Sequence, residues 1–239
     1  MTKNLLVVLI TDTSKDQAQA AALSALASSL SSLGASVETF ESLDTSVPPY
    51  IVNRTGAFVV VASQIANTLK LVRKSSAKVP VFAFGIDDSS DIQHADTAQG
   101  LSGYIQPNED TPDFIARRVL HAASKYQNGI APPFFKALLN YANDGAYSWH
   151  CPGHAGGVAY LKSPVGTRFH DFFGENMLRA DVCNAVEDLG QLLDHTGPVA
   201  ASEKNAARIF NADHLFFVTN GTSTSNKIVW HSAVGPDDI

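Results

Sequence analysis

The run LLVVLI at residues 5–10 is continuous and apolar, and it is closed by Thr11 and Asp12. A strand with one wet face alternates apolar and polar residues, so an unbroken run of this length suits a strand covered on both faces, as in parallel sheets. A helix laid over such a sheet should follow. Ser14 and Gln17 have capping-box spacing, Leu23, Leu26, Leu30 and Leu33 repeat on one helical face, and Gly34 supplies the stop. Further outward, the stretches 37–40, 57–62 (AFVVVA) and 79–86 (VPVFAFGI) predict three more strands. Residues 65–72 have a helical pattern, and 102–106 predict a weaker fifth strand. Thr111 as N-cap, Pro112 as first helical residue and the stripe Phe114, Ile115, Val119, Leu120 predict a closing helix. Strands alternating with helices in this way give a doubly wound α/β domain over residues 1–128.

Composition agrees and removes several function classes. Of 239 residues, 45% are hydrophobic and only 17% charged, where soluble domains typically carry about 25% charged residues. A formal charge of -6 argues against a nucleic-acid partner, which needs a basic face. No apolar run approaches the roughly 20 residues that span a bilayer, so no membrane role is expected. Two cysteines, Cys151 and Cys183, cannot build a disulfide framework, and a reducing cytoplasm is the expected location.

Ligands of open α/β sheets sit at the carboxyl ends of the strands, and little chemistry is found there. The loop 11–15 (TDTSK) has hydroxyls suited to a flavin phosphate but no glycine to let the backbone approach it. A phosphorylatable receiver would need an aspartate after the third strand, where Ser63 and Gln64 stand. Asp87 and Asp88 read as a solvated, helix-capping loop rather than a metal pair. The domain therefore reads as a scaffold or assembly unit.

At 128–133 the sequence NGIAPP marks a boundary, and 129–146 is expected to link two domains, with a short helix at 134–141. Beyond it the composition turns rich in Gly, Pro and His, which predicts an irregular wall beside a pocket. Cys151 and His154 have C-x2-H spacing, but no second pair completes a zinc site, and no metal is expected. A Cys151 nucleophile is equally unsupported. Residues 202–210 are helical in pattern and 214–219 (HLFFVT) read as a short buried strand. The chain then reads Asn220-Gly221-Thr222-Ser223-Thr224-Ser225-Asn226-Lys227. A glycine turn before a helix gathers free N–H groups, the positive end of the helix dipole and hydroxyls, which suits a phosphate. The spacing alone leaves a simple Ser223 or Thr224 helix cap equally open.

Residues 147–239 resemble the bacterial Orn/Lys/Arg decarboxylases, pyridoxal phosphate enzymes of the aspartate-aminotransferase fold. The resemblance lies in YSWHCPGHAGGVAYLKSPVG (147–166), HDFFGEN (170–176), DLGQLLDHTGP (188–198), SEKNAARIFNAD (202–213) and VTNGTSTSNK (218–227). It implies a flavodoxin-like N-terminal wing domain (1–128), a linker (129–146) and an incomplete fold-type-I pyridoxal-phosphate domain (147–239). It further implies that Ser223 and Thr224 hold the phosphate of pyridoxal 5'-phosphate, supported by the backbone at Gly221 and Thr222. The implied activity is decarboxylation of lysine, arginine or ornithine, with lysine slightly preferred, in a homo-oligomeric dimer or ring. The family's cofactor-attaching lysine, pyridine-pairing aspartate and ring-stacking histidine have no match here. Lys227 belongs to the phosphate motif itself, so no catalytic residue is assigned and the chain is expected to be a truncated form, inactive alone. Two alternatives remain at this point: a non-catalytic assembly module built on the wing, and a flavodoxin-like flavin binder.

Overall fold

Of the opening run, Leu6–Ile10 forms strand β1, and all five residues are buried. The computed structural model describes residues 5–12, 17–43, 48–75, 78–85, 99–144, 152–183, 186–235 and 238. The expectations for Ser14, Asp87, Asp88, His150 and Cys151 lie outside these residues. The chain divides into two units, Met1–Ile130 and Ala131–Ile239.

In the first unit the order is β1, α1 (Gln17–Ser32), β2 (Ser36–Phe40), α2 (Pro49–Arg54), β3 (Thr55–Val61), α3 (Ile65–Ser75), β4 (Val81–Phe84), β5 (Gly103–Ile105) and α4 (Pro112–Ile130). The strands form a parallel sheet in the order β2-β1-β3-β4-β5. The reversal of strand order between β1 and β3 is that of flavodoxin-like sheets.

Alternation along each strand divides the core between the two faces of the sheet. Val7, Leu9, Val59, Val61 and Phe84 meet Leu23, Leu26 and Leu30 of α1 and Ile115 and Val119 of α4. Val8, Ile10, Phe58, Val60 and Val81 meet Ile51 of α2 and Ile65, Leu69 and Val72 of α3. Both faces of β1, β3 and β4 are thus covered, which is why these three strands contain so few polar residues.

Helix α1 gives way to Gly34 at φ 88, a backbone conformation that side chains disfavour. Helix α4 starts as expected, with the Thr111 hydroxyl accepting from the Phe114 N–H at 3.3 Å. Phe114 itself corrects the expected stripe. It is 56% exposed because it sits one residue, about 100° of helical turn, from the inward line of Ile115, Val119 and Ala123. Arg73 ties two segments to α3 by donating to the carbonyls of Val79 (2.8 Å) and Gly100 (2.6 Å). Burial of its guanidinium lowers its pKa from the ordinary value, an effect that Tyr126 opposes.

The second unit contains α5 (Pro133–Asp144), a 3-10 segment (Ala155–Lys162), α6 (Pro164–Phe173), α7 (Glu175–Ala180), a 3-10 turn (Glu187–Leu189), α8 (Gly197–Phe210) and α9 (Thr222–Ala233). The stretch expected as an irregular wall is thus largely short helices. Ser163 caps α6 by accepting from the Gly166 N–H, and Pro164 occupies the first turn.

The strand expected at 214–219 does not form. That segment is irregular, with Phe216 61% and Phe217 40% exposed. No strand among the described residues runs beside it, and a strand without a neighbour has no ladder to stabilise it. The apolar core of this unit is correspondingly thin. Its buried apolar side chains, among the described residues, are Ala142, Leu178, Leu189, Val199 and Ala207, and of these only Leu189 is fully buried.

Candidate functional site

Helix α9 starts directly after Gly221, whose φ of 81 and ψ of 172 lie in a region open in practice to glycine alone. No described side chain caps this helix. The simple-cap alternative for Ser223 or Thr224 is therefore not what the geometry displays. The Gly221 carbonyl accepts from the N–H groups of Thr224 (3.1 Å) and Ser225 (3.3 Å), which leaves the N–H groups of Thr222 and Ser223 to face outward uncapped. The Thr224 hydroxyl donates to the Asn220 carbonyl at 3.2 Å, while Ser223 is exposed. Segment 218–227 carries no carboxylate, and Lys227 lies exposed on α9.

The turn thus gathers two backbone donors, a serine hydroxyl and the positive end of a twelve-residue helix in one exposed place. This donor set fits a phosphate dianion. An apolar groove of about 560 Å³ between α5 and α8 includes none of the residues Gly221 to Thr224 in its wall.

Two histidine–carboxylate pairs were not anticipated from the sequence. His154 accepts from the Gly157 N–H through Nδ1 at 3.2 Å, so in the neutral ring the proton sits on Nε2 and is donated to Asp181 Oδ2 at 3.0 Å. Both ring nitrogens are occupied, which leaves His154 no lone pair for a metal. The second pair joins His195 Nδ1 to Glu203 Oε2 at 2.8 Å. The other oxygen of Glu203 accepts from the Phe217 N–H at 2.9 Å. Helical spacing could have pointed to Glu203, since it lies four residues after Val199 and four before Ala207, both buried.

In the first unit, a crevice of about 320 Å³ at the ends of β1 and β2 is lined by Thr11, Asp12, Gln19 and Thr39. Asp12 accepts from the Ser63 hydroxyl at 2.8 Å. A carboxylate at this position repels an anion, so the crevice is poorly suited to a flavin phosphate. Among the described residues, no three metal-ligating side chains gather, and no helix is long and apolar enough to cross a membrane.

Comparison with known proteins identifies the family of the chain. A family model described as Orn/Lys/Arg decarboxylase, N-terminal domain, matches residues 18–126, and one described as Orn/Lys/Arg decarboxylase, major domain, matches residues 132–239. The chain is 51% identical over 179 residues to the lysine decarboxylase LdcA of Pseudomonas aeruginosa, covering 73% of this chain and 24% of that protein. It is 48% identical over 162 residues to an inducible ornithine decarboxylase of Lactobacillus, covering 67% of this chain and 22% of that protein.

Among solved structures, lysine decarboxylase A from Pseudomonas aeruginosa matches with a TM-score of 0.80 at 38% identity, over 98% of this chain and 33% of that one. The constitutive lysine decarboxylase of E. coli matches with a TM-score of 0.76 at 30% identity, over 96% of this chain and 32% of that one. The chain spans about a quarter of the length of the curated relatives it matches. From its two matched domains and its fold, the chain belongs to the Orn/Lys/Arg decarboxylase family.

Proposed function

We propose that these residues serve the pyridoxal-phosphate-dependent decarboxylation of a basic amino acid, with Gly221, Thr222, Ser223 and Thr224 as the seat of the cofactor phosphate. The observation that carries this reading is the uncapped N-terminus of α9 behind a turn at Gly221. When bound, the cofactor supplies an electron sink for the carbanion left by departing carbon dioxide. This chain's own part is to bind and orient. The N–H groups of Thr222 and Ser223 and the Ser223 hydroxyl donate to phosphate oxygens, and the dipole of α9 opposes their charge. Thr224 must release the Asn220 carbonyl before its hydroxyl can join them.

The substrate is lysine, arginine or ornithine, with lysine slightly preferred; the relatives include a lysine decarboxylase at 51% identity and an ornithine decarboxylase at 48%. The assembly is a homo-oligomer, a dimer or a higher ring, as the family resemblance implies. The first unit acts as its wing domain.

The binding test uses the 239-residue chain titrated with pyridoxal phosphate and followed by absorbance. Binding should be displaced by inorganic phosphate. Ser223→Ala should weaken it about tenfold, the worth of one hydrogen bond to a charged group, and Thr224→Ala less, because its hydroxyl is already engaged. Binding that ignores inorganic phosphate and the serine change would reject this seat. By the family resemblance the attachment lysine has no match in these residues, so the same polypeptide should release no carbon dioxide from lysine, ornithine or arginine. Turnover in a radiometric carbon dioxide assay would overturn that assignment.

A further inference from the structure

We infer that Glu203 is the positioning residue of the phosphate turn, an inference that rests on the reading of Gly221 to Thr224 as a phosphate seat. Glu203 is only 5% exposed. Burying a carboxylate is costly unless its oxygens find donors, and here both do. Oε2 meets His195 Nδ1 at 2.8 Å, and Oε1 accepts from the Phe217 N–H at 2.9 Å.

The second of these bonds matters most. Segment 214–219 has no strand beside it among the described residues, so no sheet fixes its course. The bond to Phe217 gives it a tether to α8, the longest helix among the described residues of the second unit. From Phe217 only three residues lead to Asn220, a reach of at most about 10 Å. The point where Phe217 is held therefore limits where the turn at Gly221 and the start of α9 can lie.

The partner on the other side is held as well. His195 has φ 50, a left-handed conformation that a side chain adopts at some cost, and its ring packs edge-on against Phe216 with centroids 5.0 Å apart. Glu203 thus bridges the loop at His195 and the segment at Phe217. Its neighbour Ser202, also buried, uses its hydroxyl in the same way, accepting from the Phe134 N–H at 2.8 Å at the start of α5. Side-chain oxygens on one helix thus hold two backbone N–H groups, one in segment 214–219 and one in the first turn of α5.

The experiment compares Glu203→Met with Glu203→Gln in the full 239-residue chain. Methionine keeps the volume and the helix propensity but removes both acceptors. Glutamine keeps an acceptor for the Phe217 N–H and can donate to His195. Amide hydrogen exchange is read by mass spectrometry over 214–226, with 197–210 as an internal control. Glu203→Met should raise exchange over 214–226 at least tenfold and leave 197–210 unchanged, and Glu203→Gln should stay within about threefold of the parent chain.

Unchanged exchange over 214–226 in Glu203→Met would overturn the inference. So would equal loss of protection across 197–210, which would make Glu203 a general stability residue. Titration with pyridoxal phosphate separates the two readings. If the parent chain gains no protection over 221–225 while the methionine variant still loses it over 214–226, the phosphate seat fails and the positioning role stands.

Discussion

Alanine in place of Phe58 should destabilise the first unit by about 3–5 kcal/mol, the usual range for deleting a buried aromatic ring. Phe58 is fully buried on β3, the strand between β1 and β4, with Val8 and Val81 as register partners on either side. Its ring fills the layer shared with Ile51, Ile65, Leu69 and Val72. A cavity there cannot collapse easily, because the sheet holds one wall and α2 and α3 hold the other. Thermal unfolding followed by circular dichroism should show the midpoint falling by roughly 10–25 °C for a unit of this size. Tyr104→Ala, at a 43% exposed position on β5, should move it far less. A Phe58→Ala shift below about 5 °C would mean that this face of the sheet is not the close-packed layer described.

The largest effect on ligand binding is expected from Gly221→Val. A Cβ at this position would meet nothing within 4 Å, so crowding is not the issue. The backbone is. At φ 81 and ψ 172 a branched side chain costs about 1–3 kcal/mol, and the turn can avoid that only by rotating the Thr222 and Ser223 N–H groups away from their common direction. Strain together with one lost charge-assisted bond predicts roughly a hundredfold weaker binding of pyridoxal phosphate. The unfolding midpoint of the first unit should not change. Affinity within about threefold of the parent would show that the turn's geometry does not govern binding.

Sequence legibility followed the range of the interactions involved. Strands β1, β3 and β4 could be read because each is buried on both faces, so that burial leaves its mark on every residue. The start of α4 could be read because Thr111 and Pro112 act within a single turn. The segment 214–219 misled for the opposite reason: HLFFVT has the composition of a strand, but strand formation depends on a neighbour that composition does not specify.

The same limit applies to the bonds of Glu203, whose helical spacing marks the buried face but not what it meets there. In isolation it is a charged residue in a helix containing Lys204 and Arg208, and only the approach of His195 and Phe217 makes a buried position tolerable for it. The turn at Gly221 was legible as a glycine turn opening a helix, but the choice between a cap and an open donor set depended on rotamers that spacing does not fix. The engagement of Thr224 with Asn220 is of that kind.

The strand order β2-β1-β3-β4-β5 also bears on how the first unit can assemble as it emerges from the ribosome. Once β1 and β2 are paired, β3 joins the free side of β1, β4 the free side of β3, and β5 the free side of β4. Each newly made strand meets an open edge, and none has to be inserted between two that are already bonded. A parallel sheet, whose long crossovers ordinarily make folding slow, can in this order be laid down one strand at a time in the sequence of synthesis.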